Sequence, residues 1–198
     1  IMVRNKDQRS KDYEQIKAVA RPGHADDMWK QKFGHSDHRG GGRSSGRETV
    51  ARVMAGSVAQ MEVRAISPDT RVVGFSTQIG PILLSESEHA KVIQKLAESD
   101  LDVDSFAARF PNSKKAVEIE EMLLNAKLDG KSFGGMAQVM VFGSPRYLGQ
   151  PVFHKLKADL ASAYLGIGAT SSVELGDGLD VIDKEGSEFH RKAKAAAY

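Results

Sequence analysis

Apolar residues recur at Val50, Val53, Met54, Val58 and Met61, a spacing that puts them on one face of a helix. Just ahead of them, Ser45 and Glu48 stand three residues apart, the arrangement of a capping box that starts a helix. The period then changes. "RVVGFSTQI" alternates, with Val73, Phe75, Thr77 and Ile79 on one face, and predicts a strand. Helices are predicted in "SESEHAKVIQKLAES" and "SKKAVEIEEMLLNAKLDG", the second closed by Gly130 as its C-terminal cap. "GGMAQVMVFG" is almost wholly apolar and reads as a well-buried strand. "VFHKLKADLASAYLGI" carries Val152, Leu156, Leu160 and Tyr164 on one helical stripe. A short strand is expected at 173–175, followed by a turn at "GDG".

Elsewhere the pattern fades. The opening "IMVRN" reads as the end of a strand. From residue 6 to residue 42 the chain is polar, charged and without sustained period, and a stretch of that length is usually functional or disordered. Trp29, Phe33 and the stiff Arg21-Pro22-Gly23 turn favour an ordered loop. The tail "KEGSEFHRKAKAAAY" offers no apolar face long enough to pack by itself. Strands of antiparallel character with helices between them define an α+β class, and residues 1–198 are expected to form a single domain.

Composition narrows the chemistry. Hydrophobic residues make up 40% and charged residues 27%, as in an ordinary globular protein. No apolar run is long enough to span a bilayer and no signal-peptide pattern stands at the start, so no membrane partner is expected. Cysteine is absent, which excludes disulfides, thiolate chemistry and cysteine-based zinc sites and suits a reducing cytoplasm. The net charge of +2 is uneven: residues 1–52 hold twelve Lys and Arg against seven Asp and Glu. A basic first quarter on a near-neutral chain points to local binding of an anion.

That quarter contains "HRGGGRSSGRET", in which Gly40, Gly41 and Gly42 permit close backbone approach. Ser44 and Ser45 sit at a helix start, where unsatisfied N–H groups favour an anion, and Arg43 and Arg47 add forked donors. Together they could form an anion cradle, or equally a glycine linker before a capped helix. No P-loop motif is present, and "GIGATS" has Ser171 where a dinucleotide fingerprint requires glycine. In "RPGHAD", His24 can exchange a proton near neutral pH, with Arg21 three residues earlier to set its electrostatics. A solvated loop histidine is the alternative. A metal site from His24, His35, His38 and Asp26 is disfavoured, because a loop provides no register to converge them, and no metal is expected. His89 and His154 read as structural or solvated.

"RPGHAD" followed by "GGGRSSGRETVARVMAGSVA" resembles chorismate synthase, with Ser45, Gly46, Arg47, Thr49, Val53 and Gly56 at the intervals of a family signature. "NKDQRSKDY" and "LGQPVFHKLKADLASAYLGIGATSSVELGDGLD" resemble segments of the same family. The resemblance covers most of the chain and is weakest at 82–130. It implies an α+β fold of helices sandwiched between antiparallel sheets, and a carbon–oxygen lyase acting on a phosphate. The implied reaction is the anti-1,4 elimination of phosphate from 5-enolpyruvylshikimate 3-phosphate, the last step of the shikimate pathway. Reduced FMN is the implied cofactor, NADPH a reductant for it, and a homotetramer the implied assembly, with no nucleic acid. By the same resemblance Arg43, Ser44 and Ser45 contact the flavin, His24 protonates it, and Arg21 and Arg47 hold the substrate. Gly168 and Ala169 match a further flavin contact that is usually Asn-Ala, so Gly168 departs from the pattern.

The family's opening G-E-S-H-G motif, its later K-P-T-S-S-like stretch and its closing Arg-x-Asp signature do not occur in this sequence. The resemblance therefore implies roughly the middle half of the enzyme, inactive by itself. The helix beginning near Ser45 also gives way to "MEVRAISPDTRVV" sooner than the family pattern implies. From another class, the alternative is a basic nucleic-acid-binding module built on the glycine–arginine stretch.

Overall fold

Backbone polarity and a bulge-tolerant alternation of side chains make residues 71–79 a strand, β1 (Arg71–Ile79), that pairs on both edges. The coordinates are those of a computed structural model, describing residues 1–4, 13–14, 17, 19, 21–39 and 42–188. Across a turn opened by Gly80 at φ 54°, β1 pairs antiparallel with β2 (Ile82–Leu83). Its other edge pairs antiparallel with β3 (Gly135–Phe142), Arg71 opposite Phe142 and Gly74 opposite Val139, with one irregularity between Ser76 and Gln78. Between β2 and β3 lie two of the described helices, Glu86–Ala97 and Ser113–Leu128.

By its contacts the chain divides into two compact units, Ile1–Gln60 with Tyr147–Tyr198, and Met61–Arg146. The first unit contains α1 (Asp26–Phe33), ended by Gly34 in the left-handed conformation with its N–H donating to the Lys30 carbonyl. Helix α2 (Thr49–Ile66) starts in it, and α5 (Leu156–Leu165) lies wholly within it.

The second unit holds the core. Phe75 of β1 packs with Leu84, Val103, Phe110, Val92 and Leu96 of α3 (Glu86–Ala97) and Ile119 of α4 (Ser113–Leu128). Polar groups tie the elements that surround it. Ser85 and Glu88 form a full capping box at the start of α3, and Asn112 caps α4 by accepting the Lys115 N–H at 3.1 Å. The same Glu88 carboxylate accepts from Asn112 Nδ2 at 2.8 Å and from Lys115 Nζ at 2.6 Å. Lys115 Nζ also donates to the Leu83 carbonyl at 2.9 Å, so one cluster joins β2, α3 and α4. At the other end, Arg71 donates to the Leu96 carbonyl at 2.7 Å and lies over the Phe142 ring. Buried Thr70 donates to the Gly143 carbonyl, and Gly143 must be glycine: φ is 63° and a Cβ would come 2.1 Å from the Asp69 carbonyl oxygen.

The α+β class and the antiparallel sheet agree with the sequence pattern, and four details differ. Ser45 and Glu48 do not form a capping box: the Ser45 hydroxyl accepts from Arg47 N–H, and Glu48 turns to Arg43. A short 3₁₀ turn, Gly46–Glu48, comes between Ser45 and α2, which displaces Glu48 from the third helical position that the box requires. β3 is not well buried. Met140 and Phe142 face the core, whereas Val139 and Val141 face away and are exposed, because the helices cover one face of the sheet. No strand forms at 173–175, where three residues have no neighbouring strand among the described residues to pair with. The helix expected from residue 152 starts at Leu156, since Gln150 and His154 bridge to each other and use the intervening residues as a turn.

Two further differences concern the first residues. Residues 1–4 are not in a strand, and the polar stretch expected to be a loop contains α1, whose Trp29 and Phe33 rings meet at 4.9 Å. Of α2's apolar stripe, no residue is buried; Val53 and Met61 are largely exposed. The tail from residue 189 and most of "NKDQRSKDY" lie outside the described residues.

Two measurements check this packing. Phe110 is wholly buried, so Phe110→Ala is expected to lower unfolding free energy by about 3–5 kcal/mol, read from denaturant midpoints; a change under about 1 kcal/mol would contradict its place in the core. Glu88 is held down to about 2 by the Lys115 ammonium, the Ser85 N–H and the Ser85 hydroxyl, against an ordinary 4.5. A depressed carboxyl stabilises the fold above its unfolded value and loses that contribution as pH falls through the folded one. Stability is therefore expected to drop between about pH 4.5 and about 2, with a shallower drop in Glu88→Gln, measured as denaturation midpoints across that range.

Candidate functional site

Arg21 and His24 stand on the turn that leads into α1. The backbone closes first, His24 N–H donating to the Arg21 carbonyl at 3.1 Å, with Gly23 at φ 71°. That turn folds the arginine back on the ring: Arg21 Nη2 lies 3.2 Å from Nδ1 and 3.1 Å from Nε2 of His24. The guanidinium therefore lies within hydrogen-bonding distance of both nitrogens of the ring. Both side chains are half-buried. A proton-exchanging group beside a fixed cation is thus assembled from one tetrapeptide.

The glycine–arginine stretch forms two successive 3₁₀ turns, Gly42–Ser44 and Gly46–Glu48, before α2. Gly42 has φ 50°, and a Cβ there would stand 3.1 Å from the Asp37 Cβ, so this turn closes against Asp37. The Asp37 carboxylate accepts from the Arg39 N–H at 3.0 Å and from its Nε at 3.2 Å; these bonds hold its pKa below the usual range. Gly40 and Gly41 lie outside the described residues. Ser44 and Ser45 are half-buried and Arg47 is exposed. Thr49 completes the turn by donating its hydroxyl to the Gly46 carbonyl at 2.7 Å.

Arg43 is widely exposed. Its side chain is 76% exposed, and its Nη1 reaches the Glu48 carboxylate at 3.3 and 3.4 Å. Exposed pairs of this kind contribute about 0–1 kcal/mol, whereas bonds to a charged ligand contribute about 1.5–3 kcal/mol. The ion pair therefore does not close Arg43 to an incoming phosphate or carboxylate.

Gly168 and Ala169 follow α5 in a turn in which Thr170 N–H donates to the Ile167 carbonyl at 3.2 Å. Ala169 has φ 66°, a conformation uncommon for a residue with a side chain. A Cβ at Gly168 would meet nothing within 4 Å, so contact at the Cβ does not impose glycine there. The structure brings this turn to α2 through a residue that spacing did not single out. Arg52 Nη2 donates to the Gly166 carbonyl at 2.5 Å, across 114 residues of sequence. Its position one turn into α2 carries no sequence signal of that partner.

Exposed guanidiniums, hydroxyls at a turn and an open glycine turn fit an anionic, hydrogen-bonding cofactor such as a flavin phosphate. No three described His, Asp or Glu side chains gather in a way that would hold a metal ion. His89 donates to Gln138 Oε1 from within the second unit, and exposed His154 lies 3.3 Å from Asp159, so both have structural partners. No helix among the described residues is long and apolar enough to cross a membrane.

Known proteins resemble this chain along nearly its whole length. The family model for chorismate synthase matches residues 1–197. Chorismate synthase of Bdellovibrio bacteriovorus is 54% identical over 191 residues, which cover 96% of this chain and 54% of that protein. The chain thus spans about half the length of the curated relative it matches. A crystal structure of chorismate synthase superposes with a TM-score of 0.65 at 24% identity, over 83% of this chain and 50% of the other, a likeness of fold. With a family match that runs from the first residue to the penultimate one, the chain belongs to the chorismate synthase family.

Proposed function

We propose that this chain acts in chorismate synthesis, the anti-1,4 elimination of phosphate from 5-enolpyruvylshikimate 3-phosphate. One observation supports this above the others: the family match spans every candidate site residue, from Arg21 to Ala169. The relatives offer no support for the nucleic-acid alternative, and the same arginines are accounted for by an anionic substrate and cofactor.

The reaction breaks a carbon–oxygen bond to phosphate and removes a proton at the far end of a four-atom system. Reduced FMN, when bound, supplies an electron-rich ring beside that system with no net redox change. Arg43, Ser44 and Ser45 would hold the flavin, with Gly168 and Ala169 as a second contact, and NADPH is the proposed source of its electrons. Arg21 and Arg47 would bind the phosphate and carboxylates, where a planar fork of donors matches paired oxygens. His24 would give and take the proton at the flavin, its ring oriented by the Arg21 guanidinium. Expulsion of phosphate leaves concentrated negative charge, which fixed cations stabilise most when water is excluded. A homotetramer in the cytoplasm is the proposed working form.

Two substitutions test these roles in the intact enzyme. Arg43→Ala is expected to weaken FMN binding by about 1.5–3 kcal/mol in a fluorescence titration; unchanged affinity would remove Arg43 from the cofactor site. His24→Ala is expected to lower kcat by about 10²–10⁴-fold with a much smaller change in substrate affinity. Near-normal turnover in a folded His24→Ala enzyme would assign the proton transfer to another group.

A further inference from the structure

We propose that Arg52 is a positioning residue for the flavin, joining the two separate segments that contact it. This rests on the reading that Arg43, Ser44, Ser45, Gly168 and Ala169 bind one FMN. Those segments belong to the two separate stretches of chain that make up the first unit, and something must hold them at a fixed separation for one ligand to meet both.

Arg52 is placed to do so. It lies one turn into α2, and its guanidinium donates to the carbonyl of Gly166, the C-terminal cap of α5. The end of a helix concentrates unsatisfied carbonyls and partial negative charge, so a cation there makes a stronger bond than a neutral donor. Gly166 leads directly into the contact turn: Ile167 N–H donates to the Tyr164 carbonyl at 3.0 Å, and Thr170 N–H to the Ile167 carbonyl. Fixing the Gly166 oxygen therefore fixes Gly168 two residues later.

The other side is equally continuous. From Arg52 back to Arg43 the chain passes through α2's first turn, the Thr49 hydroxyl bond to Gly46 and the Ser45 hydroxyl bond to Arg47 N–H. Close approach is also built in. A Cβ at Gly166 would stand 3.4 Å from the Arg52 Nη2 and 3.2 Å from the Ser162 carbonyl oxygen, so the guanidinium lies close against the helix end. Arg52 is exposed, so its removal alters the spacing of the turns without opening a cavity.

The test compares wild type, Arg52→Met and Arg52→Lys in the intact enzyme by FMN titration, thermal melting and the absorbance spectrum of bound FMN. Arg52→Met is expected to weaken FMN about tenfold and shift that spectrum, with little change in melting temperature. Arg52→Lys, which keeps a charged donor, should recover part of the affinity. Combined with Arg43→Ala, Arg52→Met should add less than its separate effect, because both act on one ligand. Wild type that binds FMN while Arg52→Met binds it equally well overturns the role of Arg52 and leaves the flavin reading standing. Lost affinity that Arg52→Lys fails to relieve, matched by a fall in melting temperature, makes Arg52 a stability residue and also overturns it. Wild type that binds no FMN overturns the flavin reading itself, and the role of Arg52 with it.

Discussion

The antiparallel pairing of β1 with β3 is the constraint on which the second unit depends. A lone strand leaves a row of backbone donors and acceptors unpaired, and β2 is too short to satisfy one edge of β1. The long edge is satisfied only when the chain returns after α3 and α4 to lay down β3 in register. Both helices then have to cover the sheet face that carries Val73, Phe75 and Met140, where they complete the core. The Glu88 cluster follows from that placement, since it can form only when the starts of α3 and α4 lie side by side. So does the Arg71 bond to the end of α3.

The candidate site is organised differently, with short local turns instead of a buried core. Arg21 and His24 meet within four residues, Asp37 and Arg39 within three, and Arg43 and Glu48 across one 3₁₀ turn. Local contacts of this kind form at little entropic cost but hold exposed charges only weakly. That combination suits groups that must exchange an internal partner for a ligand. The cations are not neutralised by burial, and the carboxylate contacts they make are weak enough for an anionic ligand to displace.

The Arg52 guanidinium links segments that chain distance alone would leave independent. The Gly166 carbonyl faces the cation with the charge of the helix terminus behind it. The guanidinium thus ties the turn after α5 to α2 from a position that spacing did not single out.

The sequence by itself determined the α+β class, β1, α3, α4 and the family, because periodicity and short motifs are local properties written in neighbouring residues. It also marked Arg21, His24, Arg43, Ser44, Ser45, Arg47, Gly168 and Ala169, through runs of adjacent residues. Tertiary structure decided what depends on distant partners. β3 looked buried from its composition, yet only its Met140 face meets helices, since composition does not say how many faces are covered. Residues 173–175 had strand character but no strand beside them. Ser45 and Glu48 had the spacing of a capping box, but a competing arginine and an intervening 3₁₀ turn took the carboxylate elsewhere. Arg52 read as one more charge on a helix. Its partner is 114 residues away, and only folding brings that carbonyl within a hydrogen bond of it.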